Sequence, residues 1–142
     1  SWSDQGADTA ALLDAYGAAW VLIDEPKFRF SIRQNWQAPE GTTSALAYIR
    51  FHGRNAKEWW NHAAAEDRYN YLYSGAELES MVEAVKGLSV GVKKAYLFFN
   101  HHFSAQGVAN AVQLRRQLGE DVPSPLPPAL VERFPWLETP PT

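Results

Sequence analysis

Three apolar runs in this 142-residue sequence stop on side chains that can bind ions or transfer protons. The runs cover residues 19–23, 46–52 and 95–99. Acids, arginines, amides and histidines lie within or just after them: Asp24 and Glu25, then Arg50, His52, Arg54 and Asn55, then Asn100, His101 and His102. A set of this kind can bind an anion and move a proton on it.

The predicted roles follow from the residue types. Arg50 and Arg54 are expected to bind an anionic or phosphorylated substrate, because a guanidinium pairs with carboxylate and phosphate oxygens. His52 or His102 is expected to transfer a proton, with Asp24 orienting the substrate or acting as the base. Asn100 is expected to donate a hydrogen bond to developing negative charge. The remaining predicted substrate contacts are Asn55 and Tyr71, and the turn at residues 53–55 suits an anion nest.

Strands of a parallel sheet are the elements that must position these residues. Apolar runs without alternation are typical of strands covered on both faces. Helices are predicted at residues 7–16, 75–88 and 105–118, the second starting from a capping box of Ser74 and Glu77. Residues 28–32 favour a short extended segment. Because the carboxyl ends of parallel strands converge on one rim, the candidate residues are expected around one mouth.

Two long loops, residues 25–44 and 56–73, follow strand ends, and loops of this length are often functional. The chain is expected to form one domain over residues 1–142. Its proline-rich tail begins at residue 122, and residues 134–137 are expected to pack back on the body.

Composition narrows the function classes. The net charge of -3, from 13 basic and 16 acidic residues, makes nucleic acid an unlikely partner, although a local basic rim stays compatible with it. The absence of cysteine excludes disulfides and thiolate chemistry and fits a cytoplasmic location. No apolar run is long enough to span a bilayer, so no membrane partner is expected.

The sequence offers no phosphate-cradling motif and no nucleophile elbow. It has no G-x-G-x-x-G or G-K-[ST] segment, and its one G-x-S-x-G match, at residues 87–91, follows a predicted helix and not a strand. His101 and His102 are a weak metal signal, because adjacent side chains point in different directions and only one can face the mouth. No metal ligand and no cofactor are therefore assigned.

At these same residues the sequence resembles the DUF72 (YecE-like) family. Four segments carry the resemblance and together cover almost the whole chain: LIDEP at residues 22–26, YIRFHGRN at 48–55 with Trp59 and Trp60, YNYLYS at 69–74 with Glu77, and FFNHH at 98–102 with ANA at 109–111. The family usually has a second asparagine where this chain has His101. The resemblance therefore extends to Asn100 and His102 and assigns no fixed role to His101.

The resemblance implies an α/β fold, the C-terminal portion of a TIM-like (β/α) barrel with parallel strands, helices outside and a rim pocket at the strand ends. It also implies that the chain is incomplete. Since three strands cannot close a barrel, a missing N-terminal half or another chain is expected to cover the open sheet. The family has no settled activity, so the resemblance names no reaction.

Three functions stay open. The first is an enzyme acting on a small anionic or phosphorylated substrate at the rim. The second is a non-catalytic binding or scaffold module, and the third is a metal-dependent hydrolase or isomerase, by analogy with other TIM barrels. Each candidate also has a structural interpretation: Asp24 as a turn cap, His52 as a core histidine, Tyr71 as a tether for its loop.

Overall fold

The computed structural model of the protein describes residues 5–29, 31–32, 34, 45–89 and 91–138. Four α-helices and three strands follow one another along these residues. In chain order they are α1 (Gly6–Ala15), β1 (Val21–Asp24), β2 (Leu46–Phe51), α2 (Gly75–Ser89), β3 (Lys94–Phe99), α3 (Gln106–Gln117) and α4 (Pro128–Arg133). No helix among them is long and apolar enough to cross a membrane.

The strands form a parallel sheet in the order β1-β2-β3. In the register of the sheet, Ile49 lies between Leu22 and Leu97. Two residues further along β2, Phe51 lies between Asp24 and Phe99. The predicted parallel sheet is therefore confirmed, and its three strands end level with one another.

The two faces of the sheet have different surroundings. On the outer face, Ile49 and Phe51 are completely buried beneath α2 and α3. Each fully buried side chain of this size stabilises the fold by roughly 1.5–3 kcal/mol. Side chains alternate along a strand, so Tyr48, Tyr96 and Phe98 lie on the opposite, inner face, where they stack on one another. Parallel strands with helices outside confirm the fold class, part of a TIM-like barrel.

The capping box predicted at the start of α2 is present. The Glu77 amide donates to Ser74 Oγ at 3.3 Å, and the Ser74 amide donates to Glu77 Oε2 at 2.8 Å. Amide groups that the helix itself leaves unpaired are thereby satisfied. One face of α2 then packs on the sheet through Leu78, Met81, Val82, Val85 and Leu88.

The proline-rich tail does fold back on the body. Phe134 and Leu137 are buried with Leu130 of α4 against Ala109 and Val112 of α3. The predicted packing of residues 134–137 is confirmed, although Trp136 remains 40% exposed.

The extended segment predicted at residues 28–32 is wrong. The Ser31 amide donates to the Phe28 carbonyl at 3.2 Å, and the Phe28 amide donates to Ser31 Oγ at 2.9 Å. The serine side chain closes a tight turn here, which an aromatic-rich run does not reveal. Phe30, which belonged to the same prediction, lies outside the described residues.

Candidate functional site

Backbone hydrogen bonds hold the three strand ends together. The His52 amide donates to the Asp24 carbonyl at 2.8 Å, and the Asn100 amide donates to the Phe51 carbonyl at 2.7 Å. All predicted site residues except Asn55 and Tyr71 lie at these ends or within three residues of them. Their side chains nevertheless divide into two groups on opposite faces of the sheet, because neighbouring residues of a strand point in opposite directions.

The first group, the inner cluster, consists of Arg50, His52, Asn100 and His102. Arg50 Nε donates to Asn100 Oδ1 at 3.0 Å, which joins β2 to the residue after β3. Arg50 forms no ion pair with any carboxylate in the described part of the chain. Because Asn100 Oδ1 accepts from Arg50, the amide NH₂ of Asn100 is left as its donor group.

Two aromatic side chains from the long loop complete the inner cluster. The ring of Tyr69 lies between the two histidines, with its centroid 6.3 Å from that of His52 and 5.3 Å from that of His102. The ring of Trp59 meets His52 and Tyr69 edge-on, at 6.4 and 6.2 Å. His52 is thus partly shielded from water by rings that carry no charge.

The two histidines differ in their burial and in their neighbours. Burial, and next the positive charge of Arg50, lower the pKa of His52 below its usual 6.5, so its imidazole is neutral at pH 7 and can accept a proton. His102 is exposed, and its Nδ1 lies 3.2 Å from the Asn100 carbonyl oxygen. A carbonyl only accepts, so Nδ1 carries the hydrogen and Nε2 is the available acceptor.

The second group, the outer network, is built around the buried carboxylate of Asp24. Arg54 donates to it twice, from Nε at 2.9 Å and from a terminal nitrogen at 2.8 Å, and Tyr73 Oη donates at 2.6 Å. The hydrogen bonds to Asp24 raise the pKa of Arg54 above its usual value. Asp24 and Arg54 therefore satisfy each other on the helix side of the sheet, away from the inner cluster.

The anion nest predicted at residues 53–55 is wrong. The Gly53 amide donates to Tyr73 Oη at 3.0 Å, so it is not available to an anion. Gly53 has a φ of +84°, and a Cβ there would lie 2.8 Å from the Cβ of Tyr71. Glycine is required here because the strand end and the loop approach each other closely. A three-residue motif does not reveal that constraint.

Glu77 connects the outer network to α2. Its carboxylate accepts from Tyr71 Oη at 2.6 Å and lies 3.3 Å from Arg54. Burial, and then the hydrogen bond to Glu77, raise the pKa of Tyr71 to about 12. Although burial opposes it, hydrogen bonds from Tyr71 and Ser74 lower the pKa of Glu77. Tyr71 is therefore held in the outer network and does not close the mouth.

Asn55 braces its own loop. Its amide nitrogen donates to Glu58 Oε2 at 2.8 Å and to the carbonyls of Asp67 and Asn70 at 3.0 and 3.2 Å. With that side-chain nitrogen engaged three times, Asn55 supports the position of Tyr69 next to the inner cluster.

A third set of buried polar residues was not singled out from the sequence. His101 is fully buried on the outer side, and its Nε2 lies 3.0 Å from Oδ1 of the equally buried Asn110. Asn110 also accepts from the Tyr73 amide and donates to the Tyr73 carbonyl, both at 2.9 Å. Burial lowers the pKa of His101 and keeps its ring neutral. The sequence feature that could have revealed this set is Asn110, whose amide side chain interrupts an apolar helix face.

A metal-binding arrangement is not found in the described ranges. No group of three or more histidine, aspartate or glutamate side chains is placed there to hold an ion.

Comparison with known proteins identifies the family. The model of the family described as "Protein of unknown function DUF72" matches residues 1–132. The chain belongs to the DUF72 family. This agrees with the sequence resemblance, and the family's description names no activity. No curated protein matches the chain.

Solved DUF72 structures share the fold. A DUF72 protein of Thermotoga maritima is 42% identical, with a TM-score of 0.67, over 80% of this chain and 41% of its own. A DUF72 protein of Enterococcus faecalis is 25% identical, with a TM-score of 0.69, over 84% of this chain and 45% of its own. This DUF72 chain therefore spans less than half the length of the solved relatives it matches.

Proposed function

We propose that this DUF72 chain carries the rim of an enzyme that acts on a small anionic or phosphorylated substrate. One observation carries the proposal: Arg50 is held by Asn100 and has no carboxylate partner in the described chain, next to a neutral histidine. A partly buried guanidinium without a countercharge is costly, and a bound anion relieves that cost.

The two arginines of the predicted site have different roles in this proposal. Arg54 already pairs with Asp24 and Glu77, so its charge is balanced inside the protein. Arg50 is accordingly the anion-binding residue, and Arg54 is a positioning residue. Asp24, Asn55 and Tyr71 act with Arg54 to hold the loop that carries Tyr69 and Trp59, and they do not touch the substrate.

The proposed chemistry is proton transfer on a substrate held by its anionic group. His52 accepts the proton, since its lowered pKa leaves the ring neutral at pH 7. The amide NH₂ of Asn100 donates to the oxygen on which negative charge develops. His102, through Nε2, is the second candidate base at the exposed side of the cluster.

We also propose that the rest of the barrel covers the inner face in the whole protein. The stacked rings of Tyr48, Tyr96 and Phe98 lie there in partial contact with solvent, and apolar surface of this kind favours burial. The chain spans less than half of its solved relatives, which leaves enough residues for the missing strands. The lack of cysteine supports a reducing compartment such as the cytoplasm.

Calorimetric titration of the full-length protein tests the anion site. The probes are inorganic phosphate, ribose 5-phosphate and 3-phosphoglycerate, and the variants are R50Q and the matched control R133Q in α4. We expect at least one probe to bind. R50Q is expected to lower the affinity for that probe by tenfold or more, and R133Q is expected to leave the affinity unchanged.

A second variant separates an enzyme from a binding module. H52Q is expected to keep the affinity for the anion and to reduce turnover by about a hundredfold or more, the usual contribution of a general base. Anion binding without turnover in the wild-type protein would favour the binding module. If no anion binds, or if R50Q binds as the wild type does, the proposal is wrong.

A further inference from the structure

A cavity lies beside the inner cluster, between the turn after β1 and the loop after β2. Its volume is about 610 Å³, within the range of small-molecule sites. Four apolar side chains among the described residues line it: Phe28, Ile32, Trp59 and Trp60. Neither the predicted site nor the proposed function uses this space.

The walls of the cavity are flat aromatic surfaces. The rings of Phe28 and Trp60 are 5.9 Å apart and tilted by 55°, so they form an open wedge. Trp60 leaves 76% of its surface exposed, which is unusual for the largest apolar side chain. An exposed indole next to a second ring offers a stacking surface to a planar ligand.

Polar groups in the cavity are few. The Ser31 hydroxyl is engaged in its own turn, because it accepts from the Phe28 amide and donates to the Pro26 carbonyl. Glu25 and Arg29 also line the cavity, and they bring a hydrogen-bond acceptor and a donor to its edge. A sugar would leave most of its hydroxyls facing apolar walls, whereas a heteroaromatic ring needs only one or two polar contacts.

Trp59 connects this cavity to the inner cluster. Its indole lines the cavity, and the centroid of its ring lies 6.4 Å from that of His52 and 6.2 Å from that of Tyr69. The cavity and the inner cluster therefore share the side chain of Trp59.

We infer that the cavity binds a planar heteroaromatic ring of nucleobase size, carried by the same substrate whose anionic group Arg50 holds. This inference rests on the proposed function, since it assigns the second half of that substrate. The ring stacks on Trp60 and Phe28, while Glu25 accepts from an amino or ring N–H at the edge of the cavity.

Calorimetry on the full-length protein tests the ring site. The probes are the monophosphates of adenosine, guanosine, cytidine and uridine, with ribose 5-phosphate as the ringless analogue and the four nucleosides as analogues without phosphate. The variants are W60A and the matched control W136A, which removes another exposed tryptophan from the opposite end of the chain.

We expect at least one monophosphate to bind tenfold or more tightly than ribose 5-phosphate. W60A is expected to abolish that difference and to leave the affinity for ribose 5-phosphate unchanged, whereas W136A changes neither value. R50Q is expected to lower the affinities for ribose 5-phosphate and for the monophosphate by the same factor. That pattern supports both sites.

The outcomes separate the two proposals. If ribose 5-phosphate binds and no monophosphate binds more tightly, the ring site is wrong and the anion site stands. If a nucleoside binds in a Trp60-dependent way and no phosphate improves its affinity, the anion site is wrong and the ring site stands. If no probe binds, both are wrong.

Discussion

The proton chemistry proposed here depends on the charge state of His52. Burial and the neighbouring Arg50 both disfavour its protonated form, whereas Asp24 acts in the opposite direction through its own charge. A histidine whose pKa is lowered by folding is neutral above that pKa, and its protonation at lower pH opposes folding. His52 is therefore an acceptor at neutral pH and loses that ability only as the pH falls through its lowered pKa.

NMR titration of the full-length protein checks this charge state. We expect a pKa below 6.5 for His52 and a higher value in R50Q, because a repulsive positive charge has been removed. The signal of His52 is assigned by its loss in H52Q. The control is R133Q, which leaves the value unchanged. A pKa that does not move in R50Q would show that Arg50 and His52 do not act on each other.

Secondary-structure elements meet at Asn110, the residue that joins α3 to the loop after β2. It pairs with both backbone groups of Tyr73 and with the ring of His101. Tyr73 in turn holds Asp24 and Gly53, so one amide side chain fixes a chain of contacts from α3 to the end of β1.

Substitution N110A is expected to destabilise the protein by about 2 kcal/mol or more, because each buried polar group left without a partner costs about 1–3 kcal/mol. Urea denaturation of the full-length protein measures the free energy of unfolding. The matched control is V108A on the exposed side of the same helix, which is expected to change it by less than about 0.5 kcal/mol. Equal stability of the two variants would contradict a bracing role for Asn110.

The sequence predicted the elements well and their side-chain directions less well. The three strands, the capping box and the position of polar residues at strand ends follow from apolar runs and local motifs. Whether Asp24 shares a face with Arg50 depends on the register between β1 and β2, which pairs Asp24 with Phe51. A shift of one residue exchanges the faces, and no single segment carries that information.

The same limit applies to the two aromatic loop residues beside the inner cluster. Tyr69 and Trp59 lie in an irregular loop, and their place beside His52 is set by contacts from Asn55 to distant backbone carbonyls. Helix and strand periodicities do not extend to such a loop. The sequence therefore left the tyrosines of this segment equally open to a role in binding and a role in packing.

At the scale of the whole molecule, the inner face of the sheet is an apolar surface that is partly exposed to solvent. Phe98 is 44% exposed here, and its ring stacks on Tyr48 at 5.0 Å and on Tyr96 at 6.2 Å. If the rest of the barrel covers this face, Phe98 is a core residue of the whole protein.

Substitution F98A in the full-length protein is then expected to cost about 3–5 kcal/mol, the usual loss for a buried phenylalanine. Thermal and urea denaturation measure it, with L12A on the exposed side of α1 as the control. A loss below about 1 kcal/mol would mean that the inner face stays open to solvent.

The free edge of β3 has a consequence for how this segment must be handled. No strand pairs with its other side in the described residues, and aromatic rings stand next to that edge. A row of unpaired amides and carbonyls beside apolar rings is a template for another copy of itself. Expressed separately, the segment should form concentration-dependent aggregates through this edge, and a longer polypeptide that supplies the adjoining strand should stay monodisperse.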